Sequence, residues 1–378
     1  MKLNPLEFYN ILAKADIDFF TGVPDSLLKQ FCLCVDDNVP EDRHIIAANE
    51  GNAIAIASGY HLATGKLPVV YMQNSGLGNA VNPLLSLCDP DVFSIPMLLL
   101  IGWRGEPGVH DEPQHIKYGK VQLDLLKAID ISYEIISKDE QQYGKKITNA
   151  VEKAKKENRP FAIVVKKGTF EAYKSPSLTF DNRLMTREES LEIILSHLTT
   201  DSIIISTTGK TSREIFEIRE KNSQPHFRDF LAVGSMGHCS SIALGIAVTK
   251  PDRKVVCIDG DGSLIMHMGS LSTVGKLKPK NLYHILMNNQ MHESVGGQAT
   301  SAIFIDFPEL VKANGYANVS SVDNEDGLIS RIRKFMEEKG PNFLEVKIKA
   351  GSRKDLGRPT ETPKKNKELF MGFIQGTS

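Results

Sequence analysis

The sequence has no long apolar run, no excess of charge of either sign and no paired set of cysteines, and each absence removes a class of function. Its most apolar stretch, Met97-Leu98-Leu99-Leu100-Ile101-Gly102-Trp103, is far too short to span a bilayer and reads as a buried parallel strand. The start, Met1–Asp16, is amphipathic and contains acidic residues, which is not the pattern of a signal peptide. Lys+Arg (45) and Asp+Glu (46) nearly cancel, leaving a formal charge of -1. With no global basic field, neither nucleic acid nor a membrane is an expected partner, and an anionic ligand has to be held by a local cluster. The five cysteines, Cys32, Cys34, Cys88, Cys239 and Cys257, are odd in number and scattered through apolar stretches. They read as reduced thiols of a cytoplasmic protein. Cys32-Leu33-Cys34 resembles half a metal site, but no second Cys/His pair matches it, and no cysteine cluster suits an iron–sulfur centre.

What is present is an α/β rhythm in 378 residues, 41% hydrophobic and 24% charged, enough for two domains of moderate size. Short β-rich runs alternate with helical patterns, the signature of doubly wound parallel sheets. The expected strands of the first half are His44–Ala48, Pro68–Gln73, Met97–Trp103 and Phe161–Lys166, with helices over Asn52–Thr64 and Asn79–Cys88. Those of the second half are Ser202–Ser206, Leu231–Gly234, Val255–Asp259, Tyr283–Asn288 and Phe343–Ile348. Each half ends alike: an amphipathic helix, a proline, an apolar strand and a Lys-rich exit, at Arg159–Gly168 and again at Gly340–Lys349. Tyr173–Arg187 is rich in Pro, Ser, Thr and Asn and lacks a sustained period, as a linker does. The expected organisation is therefore a domain over 1–172, a linker over 173–185, a domain over 186–350 and a C-terminal arm over 351–378. The arm, polar and basic over Arg353–Lys367, is expected to be mobile or to wrap a partner.

The most informative segment is Val255-Val256-Cys257-Ile258-Asp259-Gly260-Asp261-Gly262-Ser263. An apolar strand runs into two glycines flanking a carboxylate, with a helix expected to follow. Glycines let the backbone approach a ligand, and a helix start offers free N–H groups to phosphate. Asp261 there suits a hard cation. Gly-Asp-Gly alone is a weak signal. A second strand, Tyr283-His284-Ile285-Leu286-Met287-Asn288-Asn289, begins its Asn pair after a gap of 25 residues from Gly262. One helical crossover fits that gap and places the two polar strand ends side by side. Asp261 and Asn289 then offer oxygen ligands to one Mg²⁺.

In this pairing the sequence resembles the thiamine-diphosphate enzymes, whose diphosphate motif is Gly-Asp-Gly, a gap of this size, then Asn-Asn. Within them it resembles the phosphonopyruvate and sulfopyruvate decarboxylases, through Gly22-Val23-Pro24-Asp25-Ser26, Asn49-Glu50-Gly51, Asn74-Ser75-Gly76-Leu77-Gly78-Asn79, Gly234-Ser235-Met236-Gly237-His238 and Asn288 to Gly297. The resemblance implies two domains of the thiamine-diphosphate-binding fold, aminopyrimidine-binding then diphosphate-binding, without an inserted middle domain. It implies an obligate homodimer or larger assembly, with active sites between subunits. It also implies that Gly260, Asp261, Gly262 and Ser263 meet the diphosphate, and that Asp261, the Asn289 side chain and the Met291 carbonyl hold Mg²⁺. Gly234, Ser235 and Met236 keep the cofactor bent, the Gly234 carbonyl accepting from the aminopyrimidine and Met236 wedged between the rings. Glu50, which opens a small-residue helix after an apolar run, becomes the acid that activates the cofactor. A carboxyl group in that role has to sit in an apolar pocket, where desolvation favours its neutral form.

Decarboxylation of a small anionic 2-oxo acid also needs cations for the tail, a poorly solvated carboxylate and a proton donor. Candidates are Asp25 and Ser26 in the first turn, and Arg104, His110 and His115 in a Gly/Pro-rich loop long enough to be a lid. Lys210 and Arg213 form a second cationic pair. His292 and Glu293 both qualify as proton relay, and the sequence does not choose between them. The expected reaction converts phosphonopyruvate to phosphonoacetaldehyde and CO₂, with sulfopyruvate as the alternative substrate and a carboligating synthase as the alternative chemistry. A 2-oxo-acid oxidoreductase component is disfavoured by the missing cysteine cluster. A noncatalytic regulator is disfavoured by the joint presence of Glu50, Asp261 and Asn289.

Overall fold

The computed structural model describes residues 2–174 and 183–376; residues 175–182, most of the expected linker, lie outside the described residues. The chain forms two compact units: one of residues up to 174 together with 294–298, the other of 183–293 together with 299–376.

The first unit is built on β1 (Phe20–Gly22), β2 (His44–Ile46), β3 (Val69–Gln73), β4 (Leu98–Gly102), β5 (Ser132–Ile136) and β6 (Phe161–Val165). Every pairing is parallel, in the order β2-β1-β3-β4-β6-β5. The second is built on β7 (Ile203–Ser206), β8 (Asp229–Leu231), β9 (Val255–Gly260), β10 (Leu282–Asn288), β11 (Asn318–Val322) and β12 (Asn342–Lys347), again all parallel. Its order, β11-β12-β10-β9-β7-β8, repeats the first strand for strand when read from the other edge. The echo between the two sequence halves is thus an echo of topology. The central strands β4 and β6 are buried at every residue, because helices cover both faces of a parallel sheet.

Three strands escape the sequence pattern. β5 and β11 are edge strands with polar or half-exposed residues, and β1 is only three residues long with Thr21 at its centre. β8 starts two residues earlier than expected and stops at Leu231, short of the turn in which Gly234 (φ 75°), Ser235 (φ 48°) and Gly237 (φ 86°) take positive φ.

The C-terminal segment corrects the expectation of a mobile arm. Thr362 caps a helix over Pro363–Gln375, and the buried Asn366 side chain donates to the Asp229 carbonyl (2.9 Å) and accepts from Leu231 N–H (3.3 Å). The helix thereby satisfies backbone groups of edge strand β8, which would otherwise stand open. Ahead of it, Arg353 pairs with Glu188 and Glu217.

Both sheets reverse their winding direction once, between β1 and β3 and between β7 and β9. In open α/β sheets ligands bind at the carboxyl ends of the strands at this reversal.

Candidate functional site

In the first unit the reversal gathers the loops after β1, β2, β3 and β4. Asn49 caps the helix Glu50–Thr64 by accepting from Asn52 N–H at 2.9 Å. The next residue, Glu50, is 5% exposed despite its carboxyl group. Asn79 Nδ2 donates to Glu50 Oε2 at 2.7 Å. A Cβ on Gly76 would lie 2.3 Å from Glu50 Oε1, so position 76 has to be glycine for this carboxyl group to fit.

Asp25 is fully buried at the end of β1. Its Oδ2 accepts from Leu27 N–H (3.0 Å), whereas Oδ1 has no hydrogen-bond partner among the described residues. Burial pushes its pKa up to about 6, against the opposing pull of Arg104 and the turn N–H groups. The Arg104 fork grips Asp111 (Nε–Oδ2 2.8 Å, Nη2–Oδ1 2.5 Å), and its Nη1 reaches Ser26 Oγ at 2.8 Å. Although burial opposes ionisation, Arg104 and two backbone N–H groups hold Asp111 well below the usual carboxylate range. His115 is buried, its Nδ1 unpartnered among the described residues. Burial, helped by Arg104, pushes its pKa down to about 4. The loop therefore brings Arg104 and His115 to the same end of the sheet as Asp25 and Ser26. His110, in the same loop, is exposed.

Asp25 yields a stability prediction. Its folded pKa lies above the unfolded value, so the folded state binds the proton more tightly and stability falls as pH rises from about 4 to 6. Asp25→Asn removes this cost and is expected to stabilise the protein by about 2–3 kcal/mol at neutral pH, at 1.36 kcal/mol per pKa unit. It should also flatten the denaturation midpoint between those pH values. Denaturant unfolding at several pH values tests this; an Asn variant that is less stable at pH 7 would contradict it.

In the second unit three loops are stitched together by hydroxyls. Thr207 Oγ1 donates to Ser263 Oγ (3.0 Å), which accepts from Gly237 N–H (3.0 Å), and Gly234 N–H donates to Thr208 Oγ1 (2.9 Å). This holds Gly234, Ser235 and the half-buried Met236 beside the Gly260–Ser263 turn. Asp261 opens the short helix Asp261–Met266 and is buried. Thr300 Oγ1 donates to its Oδ2 at 2.5 Å, and the Asn289 N–H also meets its carboxylate. The two strand ends are therefore adjacent, as the helical crossover requires. Asn289 Oδ1 accepts from Met291 N–H (3.1 Å), while the neighbouring Asn288 turns the other way and donates to Glu345 (2.7 Å).

His292 packs over Gly262, where an added Cβ would lie 3.2 Å from its ring. Burial pushes the imidazole pKa down to about 4, so it is neutral at physiological pH. Glu293 is different. Its carboxylate receives Lys210 Nζ (2.6 Å), Arg187 Nη1 (2.9 Å) and Asn289 Nδ2 (2.9 Å). Burial opposes its ionisation, but Arg187 and Lys210 outweigh that and lower its pKa. Arg187 in turn makes a bidentate contact with Glu214 (2.8 and 2.9 Å). Lys210 thus belongs to a four-charge network. The Arg213 guanidinium lies elsewhere and donates to the carbonyls of Leu356 and Gly357. Three residues apart on one helix, the Lys210 and Arg213 side chains go to different partners.

Sequence reasoning missed Asn79, Asp111, Arg187, Glu214 and Thr300 as contributors. Asn79 lay within a quoted motif without a role. Arg187 and Glu214 have no local signal, since a charged residue on a helix is usually solvated.

The arrangement matches known proteins along nearly its whole length. The family model for thiamine pyrophosphate enzymes, N-terminal TPP binding domain, matches residues 7–126, and that for the C-terminal TPP binding domain matches 207–346. The phosphonopyruvate decarboxylase of Streptomyces viridochromogenes is 33% identical over 370 residues, 93% of this chain and 90% of the relative. The chain belongs to this family of thiamine diphosphate enzymes. A second family member, the phosphonopyruvate decarboxylase of Streptomyces hygroscopicus, is 33% identical over 88% of this chain and 84% of its own length. The sulfopyruvate decarboxylase of Methanosarcina acetivorans is 29% identical over 93% and 92%. The protein is a thiamine-diphosphate-dependent decarboxylase of 2-oxo acids, a carboxy-lyase with both cofactor-binding domains in one chain.

Proposed function

We propose that the chain converts 3-phosphonopyruvate to phosphonoacetaldehyde and CO₂ with thiamine diphosphate and Mg²⁺. The observation that carries this reading is the match to two phosphonopyruvate decarboxylases over most of both chains. The residues present fit both groups. Asp261 is a buried carboxylate with no ion pair among the described residues, and burial pushes its pKa up to about 6. Such a group suits a hard cation, and Asn289, whose N–H meets this carboxylate, brings a side-chain oxygen to the same strand end.

Thiamine diphosphate, when bound, supplies the electron sink for the carbon–carbon bond that breaks. Gly260, Gly262 and Ser263 would line the diphosphate site, and Asp261, Asn289 and Met291 would hold the Mg²⁺. Gly234, Ser235 and Met236 orient the rings, and the Glu50 carboxyl holds a proton against the aminopyrimidine. His292, neutral and close to Gly262, is the proton relay. Glu293 acts through position: its ion pairs keep it charged and fix the Asn289 side chain. Arg104, with Ser26, Asp25 and His115 around it, meets the substrate, and Lys210 adds a second cation.

Phosphonopyruvate is expected to show the highest kcat/KM in a panel with sulfopyruvate and pyruvate, with pyruvate poorest. A phosphonate tail carries more charge than a sulfonate and accepts more charge-assisted hydrogen bonds, each worth about 1.5–3 kcal/mol. Arg104→Lys keeps the charge but loses the fork. It should reduce the preference for phosphonopyruvate over pyruvate roughly tenfold. Faster turnover of sulfopyruvate, whose decarboxylase is also similar over most of this chain, would overturn the substrate and leave the reaction class.

We also propose that the active unit is at least a homodimer working in the cytoplasm. The resemblance supports the assembly, and the five free, buried cysteines support a reducing compartment. No helix among the described residues is long and apolar enough to cross a membrane. Sedimentation of active enzyme at assay concentration should give a dimer or larger, and a fully active monomer would refute the assembly.

A further inference from the structure

The Asn289 side chain is held through a chain of contacts that ends in a buried ion pair. An amide offers donors on one side and an acceptor on the other, and only its oxygen can ligate a cation. Asn289 Nδ2 donates to Glu293 Oε2 at 2.9 Å, while Oδ1 accepts from Met291 N–H at 3.1 Å. An ionised carboxylate only accepts, so it can face the Nδ2 side of the amide and not the Oδ1 side. Glu293, four residues beyond Asn289, therefore decides which way the amide is turned.

Glu293 needs a support of its own to hold that direction. Lys210 Nζ meets its Oε1 at 2.6 Å, but an ammonium on a flexible stem supplies charge without direction. Arg187 supplies the direction. It is the first residue of the helix Arg187–His197, whose start is fixed by the Thr186–Glu189 capping box. Its guanidinium grips Glu214 with Nε (2.8 Å) and Nη2 (2.9 Å), and a two-point grip sets the plane of the fork. The third nitrogen, Nη1, is thereby aimed at Glu293 Oε2 and meets it at 2.9 Å, on the same oxygen that receives Asn289. The Arg187 and Glu214 side chains are 7% and 1% exposed, so their contacts are shielded from water. A buried ion pair adds little net stability over apolar groups of the same volume, so stability does not account for this one.

We propose that Arg187, buttressed by Glu214, is a positioning residue for the metal centre: acting through Glu293, it keeps the Asn289 oxygen, and not the amide nitrogen, available to the cation. The inference rests on Asn289 as a Mg²⁺ ligand and is independent of which 2-oxo acid is the substrate. Groups that orient metal ligands in this way change metal affinity by about 10–100-fold. Arg187 and Glu214 thus tie the start of one helix and the body of another, Lys210–Lys221, to the amide at the end of β10.

The test titrates the full-length enzyme, freed of Mg²⁺ and kept in excess thiamine diphosphate, with Mn²⁺ while free Mn²⁺ is read by electron paramagnetic resonance. Arg187→Lys keeps the charge and loses the fork, and should weaken Mn²⁺ binding by about tenfold or more. The double variant Arg187→Met/Glu214→Leu replaces the buried pair by apolar groups, which leaves no unpaired buried charge to unfold the protein, and should weaken binding equally. In both, kcat is expected to return at saturating metal with KM for the 2-oxo acid unchanged, a split that general misfolding does not give. Wild-type Mn²⁺ affinity in the folded double variant overturns the proposal, as does a loss of kcat that saturating metal leaves in place. Asn289→Ala separates the two levels of the argument. If that variant binds Mn²⁺ like wild type, Asn289 is not a ligand and this inference falls with that reading; if it loses Mn²⁺ while the Arg187 variants do not, only the role of Arg187 falls.

Discussion

Glu50→Gln is expected to slow hydrogen–deuterium exchange at the thiazolium C2 of the bound cofactor by about 10²–10⁴-fold, the range for losing a positioned acid–base group. The substitution keeps the shape of a side chain that is tightly enclosed. Asn79 holds one oxygen at 2.7 Å, and Gly76 leaves no space beside the other. An amide can still accept from Asn79 but cannot cycle a proton, so the loss is one of chemistry rather than packing. Quenched exchange followed by NMR reads the effect directly, and decarboxylation should fall in parallel. Exchange at the wild-type rate would remove Glu50 from the mechanism.

The second large effect is on cofactor retention. Asp261→Ala should weaken joint binding of thiamine diphosphate and Mg²⁺ by more than about 100-fold, since even groups that merely support metal ligands cost 10–100-fold. Misfolding is separated from ligand loss by the protonation argument. The Asp261 pKa is raised to about 6, chiefly by burial. A raised folded pKa means the cofactor-free protein loses stability as pH rises through about 4 to 6. Without cofactor, the Ala variant should therefore be at least as stable as wild type at pH 7.5 in a thermal unfolding experiment, while its calorimetric binding signal is lost. Wild-type affinity would exclude Asp261 as a ligand.

Particular elements show how far the sequence could be read. β4 and β6 are legible because a parallel strand covered on both faces must be apolar along its length. β5 and β11 are not, because an edge strand with one open side tolerates Ser, Glu and Asn. Gly-Asp-Gly and Asn-Asn are legible as a pair because strand, crossover and strand impose a spacing. The C-terminal helix is not legible in a segment expected to be mobile or to wrap a partner: its polar composition is that of a solvated segment, and the residues it docks on, Asp229–Leu231, lie far back in the chain.

The candidate site divides in the same way. Which residue types stand at each strand exit follows from the local order of glycines, carboxylates and amides, and the sequence by itself determined Glu50, Asp261 and Asn289 as candidates. The charge state and partner of each cation were decided only by tertiary structure. Glu293 joins Arg187, 106 residues away, and Lys210, 83 residues away, and Arg213 turns from its helical neighbour to the chain's end. Local sequence sets burial through periodicity. Coulombic partners are set by which distant segments the parallel crossovers bring within a few ångströms, where interactions outweigh the desolvation that an isolated reading of each residue would assign.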